Sequence, residues 1–350
     1  MSALNGSYVW SSSRFGHDYP VSLDETLAAV DRQIVAGDTS GYRPLGMGFT
    51  PLDEVLGGGL RAGDLMVVGG GYGVGKTIFA LQCARNVVQR DPGNWALYIC
   101  YEHEPAHLLS RLLCLETALA GLRQDALTLR RLDAMIYQEG NHQGLEQRLR
   151  QSPRYAPIMQ TVDGYSSRLI FIRAGGSTGT VTRIREWVQD VLNRGATRVF
   201  VVVDYVQKIP VEGPEIEAED ERTIRVIQDL KEVALSTGAR VLGIAAMTQE
   251  GLRSRRMRLS DMRGGTALQY EADVGLVLHN KHSIVSREHL VYNPSQAEEM
   301  RNWLVMSLEK NRAGAGAVDM EFMLEAAHFR LLSEGRYVRD RLIDEKVVLD

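Results

Sequence analysis

No apolar run in the sequence approaches the ~18 residues that a membrane span requires. The first stretch, Met1 to Pro20, is polar and serine-rich with no apolar signal core, so a cytoplasmic protein without membrane contact is expected. Cysteine is scarce. Cys83, Cys100 and Cys114 all fall in apolar periodic segments without metal-ligand spacing, which argues for buried free thiols rather than metal ligands. An excess of positive charge is also missing. The formal net charge is −4, so global electrostatics does not announce a nucleic-acid binder. No internal repeat is evident.

What is present is a chain of 350 residues, 44% hydrophobic and 24% charged, enough to bury one large core with extensions. Charge is spread unevenly. Glu212 to Glu221 is acidic and is the clearest candidate for a mobile loop, whereas Arg253, Arg255, Arg256, Arg258 and Arg263 crowd together with Asp261 alone opposing them. From Phe49 onward, apolar strand candidates alternate with helical patterns. Several strands, such as Val199-Phe200-Val201-Val202-Val203, are continuous apolar runs suited to a parallel sheet covered on both faces. The expected fold class is a doubly wound α/β domain with a mostly parallel sheet and a C-terminal β-hairpin.

The most informative segment follows the run Leu65-Met66-Val67-Val68. Gly70-Gly71-Tyr72-Gly73-Val74-Gly75-Lys76-Thr77 fits the G-x-x-x-x-G-K-[ST] phosphate loop at every position, and a helical pattern starts at Ile78. Glycines let backbone N–H groups turn toward phosphate oxygens, and a helix N-terminus adds its positive end. Gly70 through Ile78 are therefore candidate ATP-binding residues. Lys76 is placed to reach the β and γ phosphates, and Thr77 to offer a hydroxyl to Mg²⁺. Val199–Val203 ends in Asp204, the Walker B pattern in which a strand-end carboxylate helps hold Mg²⁺. Hydrolysis also needs a group to orient or deprotonate water. Glu102 directly follows the next strand, with Glu104 as the competing candidate.

Two further pieces stand apart. Leu304 to Arg312 reads as a strand with Lys310 and Arg312 on one side, followed by the turn Ala313-Gly314-Ala315-Gly316. Such a hairpin tip could serve as an arginine finger, acting on a phosphate bound by the next subunit. Val21 to Ala36 has helical spacing, with Ser22 and Glu25 three apart as in a capping box. Its apolar stripe can fold back on its own domain or dock on a neighbouring subunit, and the residues alone leave both open.

Taken in order, these pieces resemble the ATPase domain of the DnaB-type replicative helicases, which are RecA-like hexameric motors. Gly48-Phe49-Thr50-Pro51-Leu52-Asp53 with Gly57 to Leu65 is similar to the family's opening segment. Tyr98-Ile99-Cys100-Tyr101-Glu102, Val203-Asp204-Tyr205-Val206-Gln207, Ser260-Asp261-Met262-Arg263 through Asp273, and Lys310-Asn311-Arg312-Ala313-Gly314 resemble later motifs in the family's order. The resemblance implies ATP and Mg²⁺ as cofactors. It also implies catalysis by Lys76 and Glu102 with Lys310 and Arg312 given in trans, and a homo-oligomeric ring in which the 21–44 linker-like segment docks on a neighbour. Translocation on or unwinding of single-stranded DNA follows as the expected function. On this reading residues 45–333 form the ATPase domain, 1–20 a polar tail and 334–350 a charged tail.

Three departures accompany the resemblance. Only about twenty residues precede the linker-like helix, so the family's N-terminal helical domain and its contacts are not expected. Ala246 stands where the family has a phosphate-sensing Gln, with Gln249 three residues on as a possible substitute. The DNA-contacting loop reads Arg263-Gly264-Gly265-Thr266, which keeps the Arg and gives Arg263, Gly264 and Thr266 as candidate backbone contacts without an aromatic platform. These departures keep open an alternative of a different class, a RecA-like regulatory or assembly ATPase acting on a protein partner.

Overall fold

The computed structural model describes residues 20–137, 143–213, 218–285 and 298–343. The expected N-terminal tail, residues 214–217 of the acidic segment and the end of the C-terminal tail lie outside the described residues. The strands are β1 (Leu65–Gly70), β2 (Asn94–Cys100), β3 (Leu169–Arg173), β4 (Arg198–Asp204), β5 (Arg240–Ile244), β6 (Val274–Asn280), β7 (Trp303–Asn311), β8 (Val318–Glu325), β9 (Arg330–Leu331) and β10 (Arg336–Tyr337). They form one sheet in the order β10-β8-β7-β6-β1-β5-β4-β2-β3, with β9 paired to β8. The run from β6 to β3 is parallel. β7, β8 and β10 extend it antiparallel, and the expected hairpin is β7–β8.

The continuous apolar strands explain the two-sided core. In β4, Phe200 and Val202 pack on one face while Val199, Val201 and Val203 pack on the other. The first face is covered by the helix Lys76–Arg90. The second is covered by the helices Val181–Asn193 and Glu219–Thr237. Phe49 of the opening segment stacks near Phe79 and meets Phe322 edge-on, with ring centroids 5.3 and 5.7 Å apart, and so ties that segment to both the helix and the hairpin. A smaller core of Leu113, Cys114, Leu127, Leu132, Leu149 and Met159 joins the helices between β2 and β3. All three cysteines are buried and free. No helix among the described residues is long and apolar enough to cross a membrane.

Two elements differ from the sequence pattern. The apolar run Arg240–Ala246 reads as one strand, but β5 stops at Ile244, because the chain beyond it turns to pair with the segment before the candidate DNA loop, Met247 opposite Met262. The segment after residue 333 contributes β10, and Ile343 N donates to Ile284 O at 2.8 Å, so part of the expected charged tail is pinned to the sheet.

The helix Leu23–Val35 carries the expected capping box: Ser22 N donates to Glu25 Oε2 at 2.8 Å and Glu25 N to Ser22 Oγ at 3.3 Å. None of its residues is buried, and Leu23 is 86% and Leu27 60% exposed. Its apolar stripe finds no cover among the described residues.

One buried ion pair staples the phosphate-loop helix to the helix Pro105–Leu119. Arg85 grips Glu116 bidentately, with Nη2 to Oε2 at 2.9 Å, and Tyr165 Oη donates to the same carboxylate. Removing one partner strands the other charge in a dry site. Glu116→Ala is expected to lower unfolding stability by about 3–5 kcal/mol, read from the urea midpoint. A shift no larger than that of a surface alanine substitution would contradict this.

Candidate nucleotide site

The parallel register fixes the site. Cys100 pairs with Asp204 across β2 and β4, and Val68 with Ile244 across β1 and β5. The chain leaving β1, β2, β4 and β5 therefore emerges on one edge, which puts the phosphate loop, Glu102, Asp204 and Ala246 side by side. They surround one cavity of about 670 Å³, a size suited to a small ligand.

Local backbone needs explain the loop's glycines. Gly75 caps the helix at φ +105°, in the left-handed region that favours glycine. A Cβ at Gly70 would lie 2.4 Å from the Leu278 carbonyl oxygen. Lys76 Nζ curls into the loop and donates to Gly70 O and Gly71 O at 2.8 and 2.7 Å. Burial holds the Lys76 ammonium below its ordinary pKa, against the opposing pull of Asp204 and Glu102. A polyanion in the loop would relieve that desolvation by pairing with the charge.

Thr77 Oγ1 donates to Asp204 Oδ2 at 3.1 Å, and Tyr98 Oη donates to the same oxygen at 2.8 Å. Burial raises the Asp204 pKa despite these two bonds. A hydroxyl and a carboxylate in contact are hard oxygen donors and fit Mg²⁺, which keeps several waters and takes further oxygens from phosphates. The described residues hold no group of three or more His, Cys, Asp or Glu that could bind a metal by themselves, so a cation here would depend on those additional oxygens.

The two competing glutamates separate in space. Glu102 lines the cavity. Glu104 turns to Arg173 at 2.6 Å, on the exposed N-cap of the helix Pro105–Leu119. His103, Arg111, Gln207 and Phe329 also line the cavity, and Tyr98 reaches it through Asp204; Tyr98 and Gln207 fall in the quoted motifs without an assigned role, and the other three escaped the sequence reading. Strand alternation could have paired Tyr98 with Cys100 on the Asp204 side. Phe329 sits at a turn far along the chain and carries no local signal.

Lys310 and Arg312 are not part of this cavity. They lie at the start of β6, where Lys310 pairs with Gly275 and Asn311 with Val274, roughly 20 Å of strand away from the phosphate-loop edge. There Lys310 donates to the backbone oxygens of Gln269 and Tyr270. Arg312 Nη2 donates to Tyr270 O at 2.7 Å, and its Nη1 sits 3.2 Å from Asp273 Oδ1. Both cations thus cap the end of the helix Gly265–Glu271.

The arginine-rich segment is largely neutralised within the chain. Arg256 pairs with Asp319 at 2.5 Å, Arg258 with Glu309 at 3.1 Å, and Arg263 with Glu219. Arg253 and Arg255 are exposed. Arg263 and Glu219 both face the cavity. Gly264 is at φ +77°, tight against Thr223, and the Thr266 side chain lies outside what the structure describes. Gln249 is exposed and away from the cavity, whereas Ala246 lines it.

The family of DnaB-like helicase C-terminal domains matches residues 45–331. Replicative DNA helicase DnaB of Geobacillus stearothermophilus is 25% identical over 287 residues, 81% of this chain and 55% of that protein. DNA repair protein RadA of Synechocystis sp. is 26% identical over 223 residues, 59% of this chain and 43% of that protein. The chain spans about half the length of the curated relatives it matches. Among solved structures, one of an isolated ATPase domain superposes with a TM-score of 0.69 at 18% identity, covering 90% of this chain and 99% of that one. A DnaB-like replicative helicase gives 0.66 at 18% identity, over 90% and 67%. These structures establish the RecA-like fold.

The separation of the two glutamates gives a sharp expectation. Glu102→Gln should retain Mg²⁺-ATP while hydrolysis falls roughly 10²-fold or more, the scale of a positioned base; Glu104→Gln should hydrolyse normally. The reverse pattern in purified variants would reassign the base.

Proposed function

The chain belongs to the family of DnaB-like helicase C-terminal domains, and on that premise we propose that it is an ATP-hydrolysing subunit of a homo-oligomeric ring, hexameric as in DnaB-type motors, that moves on or unwinds DNA through a central pore. The observation that carries the reading is the contact between Thr77 and Asp204 at 3.1 Å, beside Lys76 and Glu102 in one cavity. Nucleotide and Mg²⁺, when bound, supply the phosphoryl group and charge neutralisation. Lys76 pairs with β and γ oxygens. Thr77 and Asp204 would hold the cation, with Tyr98 fixing the carboxylate. Glu102 orients the attacking water and accepts its proton.

Two features support a ring. The exposed stripe of Leu23–Val35 has no cover among the described residues and is suited to docking on a neighbour. Lys310 and Arg312 lie on the sheet edge opposite their own phosphate loop, so a phosphate they serve belongs to another subunit. They would stabilise the charge that develops on the transferring group.

The Arg263 loop is the candidate contact with the backbone of single-stranded DNA. ATPase activity and strand binding measured between 50 and 200 mM salt test this. Several phosphate contacts predict an affinity loss of up to roughly 10³-fold across that range, and stimulation of hydrolysis by single strands at low salt. A second reading has a specific observation in its favour: three of the clustered arginines already have carboxylate partners. A RecA-like ATPase acting on a protein partner would hydrolyse ATP with neither strand binding nor stimulation, and that result would replace the motor reading.

Active sites shared between subunits have their own signature. Arg312→Ala should bind nucleotide nearly normally but lose turnover, as should Lys76→Ala through its own loop. Mixing the two inactive proteins should restore part of the activity, because some interfaces regain an intact Lys76 facing an intact Arg312. No recovery, with both variants assembled, would place the finger elsewhere.

A further inference from the structure

Gln207 sits in the single helical turn Val206–Lys208, three residues past the end of β4. It lines the same cavity as Lys76, Thr77, Glu102 and Asp204, yet its amide is spent on the backbone. Oε1 accepts from Ala246 N at 3.0 Å, and Nε2 donates to Arg263 O at 3.4 Å. Arg263 N returns a bond to Ala246 O at 2.9 Å. The ends of β4 and β5 and the arginine loop are thereby closed into one hydrogen-bonded circuit on the cavity wall.

The chemistry of this circuit selects an amide. Ala246 N–H can only donate and Arg263 C=O can only accept, so the side chain between them must present one acceptor and one donor, in that orientation. A carboxylate meets the first requirement and opposes the second. Leucine meets neither. The neighbouring Ala246 side chain has no polar atom to offer the cavity.

The two bonds are unequal. At 3.4 Å the contact with Arg263 O is at the long end of the hydrogen-bond range, and the acceptor is a neutral carbonyl. Phosphate oxygens bound in the same cavity would be charged acceptors, which form hydrogen bonds roughly twice as strong.

We infer that Gln207 is a positioning residue that ties the Arg263 loop to the nucleotide cavity, holding the loop when the cavity lacks a terminal phosphate and loosening it when one is present. The inference rests on the nucleotide-site reading above, but not on DNA being the loop's partner. Its role runs through the backbone of Arg263 rather than through bond making at phosphorus.

Hydrogen exchange in residues 259–266 tests it, on the full chain with Mg²⁺ and either ADP or a non-hydrolysable ATP analogue. The wild-type segment should exchange faster with the triphosphate by about 2- to 10-fold, the range that one neutral hydrogen bond carries. Gln207→Leu and Gln207→Glu should exchange at one raised rate in both states. A fluorescent ATP analogue checks that each protein still binds nucleotide. A purely structural side chain would shift exchange equally in the two states and leave the wild-type difference in place.

Equal exchange in the wild-type protein with the two nucleotides overturns the inference whether or not the variants fold. So does a difference that survives in both variants. Absence of nucleotide binding by the wild-type protein removes the nucleotide site and the inference together. A wild-type difference that vanishes in the variants, in a protein that binds no single strand, retires the motor reading and leaves the role of Gln207 standing.

Discussion

Parallel strand pairing is the constraint on which the rest of this structure depends. Six strands from β6 to β3 run in one direction, so the chain leaves each of them on the same edge. Gly70, Glu102, Asp204 and Ala246 are distant in sequence and adjacent in space for that reason alone. The continuous β-branched strands that allow this arrangement must be covered on both faces. The phosphate-loop helix covers one face, and the Val181–Asn193 and Glu219–Thr237 helices cover the other.

The same constraint separates the hairpin cations from the cavity within one chain. β7 returns antiparallel beside β6, which carries Lys310 and Arg312 to the opposite edge. The helix Gly265–Glu271, about 10 Å long, lies between the arginine loop and the Lys310 and Arg312 side chains. Arg263 and Gly264 precede it on the cavity side, and its far end receives the Lys310 and Arg312 side chains. Under the proposed reading, one short rigid element lies between the loop facing the pore and the cations facing a neighbour. The stripe of Leu23–Val35 is likewise left uncovered by the described residues.

Desolvation sets the electrostatic character of the cavity. Burial lowers the Lys76 pKa and raises that of Asp204, each against favourable neighbours. Burial thus disfavours the charged form of each group, and nucleotide phosphates and a divalent cation would favour it. Around the rim, arginines that look like a basic patch in the sequence are paired with Glu219, Glu309 and Asp319. The positive field of this segment is therefore weaker than its composition suggests.

The phosphate loop, the carboxylate ending β4 and the glutamate after β2 were legible because each is a local pattern: a spacing of glycines, or a charged residue closing an apolar run. The parallel α/β class was legible for the same reason, since β-branched runs record burial on both faces. Short elements such as Leu129–Ile136, with one buried residue, and the two-residue β10 carry too few periods to be read. The order of residues settles which chemical groups are present and on which strand ends they stand. Their partners come from the folded chain alone: Tyr98 on Asp204, Glu219 on Arg263, Gln207 between Ala246 and Arg263, and Lys310 and Arg312 on a helix end. Such pairings depend on which strand lies beside which, and sheet order is set by packing of the whole chain rather than by any local run of residues.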